Sequence, residues 1–293
     1  MPHAHHASLD LLVSVSLILG ALIYMLGWVR IRRLELNSVG GWRATSFFLG
    51  LFFIWLAVAS PIAALDHQLL TIHMVQHLLL MTLAPPLIWL GAPGKALVHG
   101  FPARLVEVVN QFLRWTPLQR LDRAIGQPTV CWLAAAATLI GWHIPSMFMF
   151  GLQSEMWHAI EQLSFLAVGL FFWWHVVQPK PTSSNWSEWS ILLYLFLATL
   201  PCDILSGFLV FCDRVVYPVY FSSPRTLEFS ALEDQQCAGA LMWTCVTVVY
   251  LIAGAIVAAR LLSPESLRQC QVLKSDSGLR TAPQTTRQSM EAV

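Results

Sequence analysis

Residues 44–63 read Ala-Thr-Ser-Phe-Phe-Leu-Gly-Leu-Phe-Phe-Ile-Trp-Leu-Ala-Val-Ala-Ser-Pro-Ile-Ala, without one ionisable side chain. A helix rises 1.5 Å per residue, so such a run covers the roughly 30 Å hydrocarbon core of a bilayer. Six further apolar runs, at about 9–29, 70–91, 129–147, 157–178, 188–212 and 237–262, approach the same length. Only 11% of the residues are charged, 56% are hydrophobic and the mean hydropathy is +0.61. A soluble domain carries roughly 25% charged residues, and this chain has too little polar surface to clothe a soluble core of its size. Lipid removes that need. The sequence predicts an all-α polytopic bundle of seven transmembrane helices within residues 1–263. The Ser-, Gln-, Thr- and Arg-rich stretch 264–293 reads as a disordered tail.

The first run is not a cleaved leader. It has no basic segment before it and no small-residue cleavage site, and Arg30, Arg32 and Arg33 follow it. Basic residues then set the orientation. Of the 17 Lys and Arg, 15 fall in alternate connections: 30–43, 92–128, 180 and the segment from 260 onward. Only Arg214 and Arg225 lie in the others. The positive-inside rule puts the first set in the cytoplasm, which leaves the N-terminus outside and the tail inside. An amphipathic interfacial helix is expected near 102–114.

The net charge of +1 gives no electrostatic footprint for nucleic acid. Six Cys occur without a CxxC, so no zinc knuckle or redox motif is present. Neither a nucleotide-binding loop nor a nucleophile–base motif is found, and the chain does not read as an enzyme.

Ionisable groups inside a membrane are costly and mark function by default. Here they gather at one depth. The third run opens with His73-Met74-Val75-Gln76-His77, which sets two imidazoles at i and i+4 on one face, with Met74 beside them and Met81 a turn further on. The fourth ends in Trp142-His143-Ile144-Pro145, and the fifth starts with His158-Ala159-Ile160-Glu161-Gln162. The seventh starts with Asp234-Gln235-Gln236, and Asp66-His67 immediately precedes the third. An intramembrane His-x-x-x-His is also a common helix–helix hydrogen-bonding pair, and the methionines also suit adaptable packing. Imidazoles beside thioethers equally suit a first-row metal, Cu(I) above all and also Zn. On that reading His73, His77, His143 and His158 are the ligand candidates, Met74 and Met81 weaker ones. Glu161 is expected behind the imidazoles, orienting one of them. Cys212 and Cys237 end and begin neighbouring helices, so either a disulfide or two free thiols fit.

The segment from His73-Met-Val-Gln-His77 through Leu-Leu-Leu-Met-Thr-Leu-Ala-Pro-Pro-Leu, closed by Leu90-Gly91-Ala92-Pro93, resembles the signature of the CtaG family of bacterial caa-type cytochrome c oxidase assembly factors. Trp142-His143-x-Pro145, His158-x-x-Glu161 and Asp234-Gln235-Gln236-x-Ala238-Gly239 fit the same pattern, over roughly residues 45–260. The resemblance implies a seven-helix protein of the bacterial inner membrane that helps mature the copper-containing oxidase. The client oxidase subunits would be its partners, with periplasmic copper chaperones as candidate donors. His73, His77, His143, His158 and Glu161 match family positions and inherit the candidate role. Two other functions fit the residues: an inward copper transporter, against which the sparse polar content of the inner halves counts, and a haem b electron carrier with ligands from facing helices.

Orientation is directly testable. A cysteine introduced at 62–69 or 213–236 is expected to react with an impermeant thiol reagent in intact cells, and one at 30–43 or 92–128 to stay protected. Labelling of 92–128 from outside overturns the orientation.

Overall fold

Helix α3 (Leu70–Leu90) runs through the middle of the bundle, with 56% of its membrane window buried against 11 to 39% for the five other straight spans. The computed structural model of the protein describes residues 2–34, 40–113, 126–177, 188–221 and 230–263, and every regular element among them is helical. Around α3 stand α1 (Pro2–Leu34), α2 (Gly41–Val58), α8 (Glu155–Val177), α9 (Glu188–Phe211) and α10 (Ala231–Leu261). Two short helices, α4 (Pro93–Gly100) and α5 (Ala103–Leu113), follow α3. The second matches the amphipathic helix expected near 102–114, and the first was not expected. The segment 264–293 lies outside the described residues.

The fourth predicted run is not one straight helix. Helix α6 (Pro128–His143) stops at His143, and α7 (Pro145–Leu152) leaves it at 78°. The cause is local: the ring of Pro145 disfavours helical backbone at the residue before it. Ile144 is accordingly extended (φ −64°, ψ 126°), and Pro145 opens the new helix, where its missing N–H costs nothing. The predicted run 129–147 is therefore a shorter helix plus a turn.

Within α3, Leu79–Leu83 widens into a π-helical turn. Pro85 supplies no N–H to the carbonyl of Met81 four residues earlier. That carbonyl instead accepts from the Trp173 indole N–H of α8, at 3.1 Å. Helix α8 comes this close because residue 169 is glycine: a Cβ there would lie 2.8 Å from the Met81 carbonyl oxygen and 2.9 Å from its Cα. The proline, the indole and the glycine together lock α8 to α3.

The start of α3 is held from the far end of the chain. Asp234 of α10 accepts from the backbone N–H of Leu70 (2.6 Å) and Thr71 (3.1 Å) and from the Thr71 hydroxyl (2.6 Å). A carboxylate at a helix N-terminus satisfies orphan amides and meets the positive end of the dipole. Helix α10 itself begins with a capping box, Ser230 and Glu233 exchanging hydrogen bonds. On the other flank, Tyr24 of α1 stacks on Phe47 of α2 at 3.9 Å and donates to the Gly91 carbonyl at 2.8 Å. Large apolar side chains such as Ile18, Leu22, Phe196, Ile204 and Leu251 point outward, as lipid-facing surface requires.

The disulfide considered between Cys212 and Cys237 does not form; both are free thiols. Helix α10 turns Asp234, Gln235, Ala238 and Gly239 inward, which carries Cys237 onto its exposed face.

Replacing Asp234 by Ala exposes two buried amides to no acceptor, and hydrogen bonds to charged groups contribute about 1.5–3 kcal/mol. The variant is expected to melt several degrees lower in detergent. An unchanged melting curve removes Asp234 as the anchor of α3.

Candidate metal centre

Three helix ends and one turn converge on a single buried cluster. His73 and His77 come from α3, one helical turn apart, with rings 4.4 Å between centroids. Glu161 comes from the second turn of α8, and its Oε1 lies 3.5 Å from His73 Nε2 and 3.4 Å from His77 Nε2. His143 ends α6; Met74 presents its Sδ 3.3 Å from His143 Nε2. His158, from the first turn of α8, stacks on His73 at 5.5 Å. The structure thus brings together His73, His77, His143, His158, Glu161 and Met74, all facing the bundle interior.

Burial is nearly complete. His73 and Glu161 are shut off from the surface and His77 and His143 almost so, while His158 keeps 14% of its side chain exposed. Helix α7 closes one side: Phe148 meets His73 at 4.9 Å and packs on Tyr217 at 4.1 Å. Phe165 of α8 stacks on His77 at 4.0 Å. The backbone around the cluster is tied down as well, with Tyr217 donating to the His143 carbonyl and Tyr220 to the Asp66 carbonyl, each at 2.9 Å.

The polar groups at the centre are not satisfied by the protein. Both ring nitrogens of His73, both of His77 and both carboxylate oxygens of Glu161 are buried without a hydrogen-bond partner. A buried polar atom left so costs about 1–3 kcal/mol, more when charged, and native interiors rarely tolerate several together. His143 differs, since its Nδ1 donates to the Leu139 carbonyl at 2.7 Å, which leaves Nε2 as the lone-pair nitrogen facing Met74. Donor atoms of His73, His77 and Glu161 all lie within 4.8 Å of one another. That is a nitrogen and oxygen set suited to a first-row cation.

Glu161 was expected behind the imidazoles; it stands among them. Asp66 was noted beside His67 but not counted with the cluster, yet it is buried, and its Oδ2 lies 3.5 Å from His158 Nε2. Gln76 holds it there, donating to Asp66 Oδ2 and to the Ala63 carbonyl, each at 3.2 Å, and accepting from Gln162 at 3.4 Å. The available signal was an acidic residue just before a run whose first turn carries a histidine. Met81 does not join the cluster; within the π turn it lines a cavity of about 40 Å³ with His77, Thr82, His143, Cys202 and Met242. Met147 and Met156 are exposed. His175, deeper along α8, sets its two ring nitrogens 3.1 and 3.0 Å from the carbonyls of Phe171 and Gly126, to one of which its N–H donates.

A helical membrane bundle enclosing a buried histidine and carboxylate cluster is the class these features define. The chain belongs to the cytochrome c oxidase caa3 assembly factor family (Caa3_CtaG), whose match covers residues 22–263. It is similar to an uncharacterized protein of Mycobacterium leprae (strain TN), 19% identical over 248 residues, 83% of this chain and 37% of the relative. Uncharacterized proteins of Mycobacterium bovis and Mycobacterium tuberculosis are 21% identical over 240 residues, 80% of this chain and 36% of each relative. The chain therefore spans a little over a third of the length of the curated relatives it matches. No solved structure matches it.

Proposed function

We propose that this protein is a non-enzymatic assembly factor that holds copper in the outer half of the bacterial plasma membrane and makes it available for the copper centre of cytochrome c oxidase. The observation that carries the reading is the trio His73, His77 and Glu161, six buried atoms without a hydrogen-bond partner, gathered around the 3.4 and 3.5 Å approaches of the two imidazoles to Glu161. Ionisable groups gathered inside a membrane mark function by default, and these offer a cation nitrogen and oxygen ligands. Family membership supplies the client, cytochrome c oxidase.

Copper, rather than zinc or manganese, is favoured by what adjoins the trio. Met74 and the free Nε2 of His143 offer a thioether and an imidazole, donors that suit Cu(I). In this role His73, His77 and Glu161 hold the ion, and Met74 and His143 give it a softer alternative next door. Bound copper would supply the charge that neutralises Glu161. Periplasmic copper carriers and oxidase subunits are the partners this reading calls for, on the face where the orientation of the basic residues puts the cluster.

The haem reading is disfavoured by space: the cavity beside His77 and His143 holds about 40 Å³, room for an ion or a little water and far from a porphyrin. One feature favours transport as a second reading, since that cavity continues from the cluster to Met81, Cys202 and Met242, a soft-donor route toward the other half of the bundle.

Replacing His77 by Ala removes a ligand, and because the new side chain is apolar the protein is expected to insert at normal abundance. Copper affinity should fall by more than the roughly 10–100-fold that loss of an orienting partner causes. With its Oε1 among the imidazoles, Glu161→Gln is expected to match that loss; a milder effect would return Glu161 to an orienting role. The decisive readout is oxidase activity per amount of this protein in the membrane. Normal oxidase in a His73→Ala/His77→Ala double variant sinks the site, and normal oxidase after deletion of the whole chain sinks the function.

A further inference from the structure

Two groupings, not one, bring three donor atoms within 4.8 Å of one another: Asp66, His73 and His158, and His73, His77 and Glu161. His73 belongs to both. Each grouping holds one buried carboxylate, and no Lys or Arg is buried near either among the described residues. A single ion in the deep grouping would answer Glu161 and leave Asp66 Oδ1 still buried without a hydrogen-bond partner.

His73 is the residue the two groupings share. Its ring is fully buried, neither nitrogen has a hydrogen-bond partner, and an imidazole that gives up its N–H proton can bind a cation at each nitrogen. The groupings also differ in access. His158 is partly exposed, and beside it His67 is about half exposed, 3.7 Å from Asp66 Oδ1, whereas His73, His77 and Glu161 are closed off.

We infer that the cluster has places for two cations, one at the mouth on Asp66, His158 and His73 and one deeper on His73, His77 and Glu161, with His73 common to both. The inference rests on the metal reading above and extends it. Two cuprous ions set two positive charges against the two carboxylates and the imidazolate that His73 becomes when its N–H proton leaves to water at the partly exposed mouth.

The test counts ions. Full-length protein in detergent, with His3, His5 and His6 changed to Ala so that the N-terminal histidines do not compete, is titrated anaerobically with Cu(I) against a chromophoric cuprous chelator. Two tightly held ions per chain are expected, falling to one in Glu161→Gln, one in Asp66→Asn and none in His73→Ala. Asp66 also accepts from Gln76, so His158→Ala provides a second removal of the mouth place without touching that bond; one ion is expected there too. One ion in the parent protein overturns the two-place inference and leaves the copper reading intact. None overturns both. Two ions retained in Asp66→Asn and His158→Ala put the second ion elsewhere and overturn the assignment, and two retained in His73→Ala overturn the sharing.

Discussion

A carboxylate enclosed in a membrane bundle must be neutralised, and Glu161 is the group on which this architecture turns. Its Oε1 faces two imidazoles at 3.4 and 3.5 Å, beyond the 2.7–3.2 Å of good hydrogen bonds. None of the six ring-nitrogen and carboxylate-oxygen atoms of the trio has a hydrogen-bond partner. Proton sharing among these groups would relieve part of the charge, but it would draw the nitrogens and oxygens into bonding distance. The observed spacing suits a small cation between them better than direct contact. In lipid the alternative, leaving the groups unpaired, is more costly than in a soluble protein, because no water can reach them.

The rest of the fold supports that cluster by immobilising α3. Its first turn is pinned by Asp234, and its middle by the Trp173 indole on the Met81 carbonyl. The π turn that Pro85 imposes sits directly after His77, so it sets apart the histidine turns from the apolar half of the helix. Turns of this kind recur at functional sites because one extra residue re-aims every side chain beyond it. Met81 stands inside this turn and lines the cavity beside His77. Phe148, carried on a helix that Pro145 turns through 78°, completes the enclosure.

The architecture was legible because apolar run length is a direct measure of bilayer crossing, and the fourth run failed only in its straightness. The convergence of His73, His77, His143 and His158 was legible for a simpler reason: alternate helix ends meet at one membrane face, so polar residues at those ends share a level. Asp66 was harder to place. A residue in a turn between helices looks like solvated loop, and only Gln76, ten residues on, draws it inward. The position of Glu161 was only partly legible, because spacing along α8 puts it on the same face as His158 without saying that it meets His73 and His77. Cys212 and Cys237 show the converse limit: equal depth says nothing about which way a helix turns a side chain.

Asp234 has a consequence in time. Its carboxylate anchors Leu70 and Thr71 across 164 residues of chain, and every other element of the cluster leaves the ribosome before it does. Until the helix at 231–261 enters the membrane, the amides of Leu70 and Thr71, at the start of the helix that carries His73, lack their carboxylate acceptor. The nascent protein therefore carries its histidines through most of synthesis without a finished site. Arrival of the helix at 231–261 is the event that supplies the Asp234 carboxylate to the first turn of α3, two residues before His73.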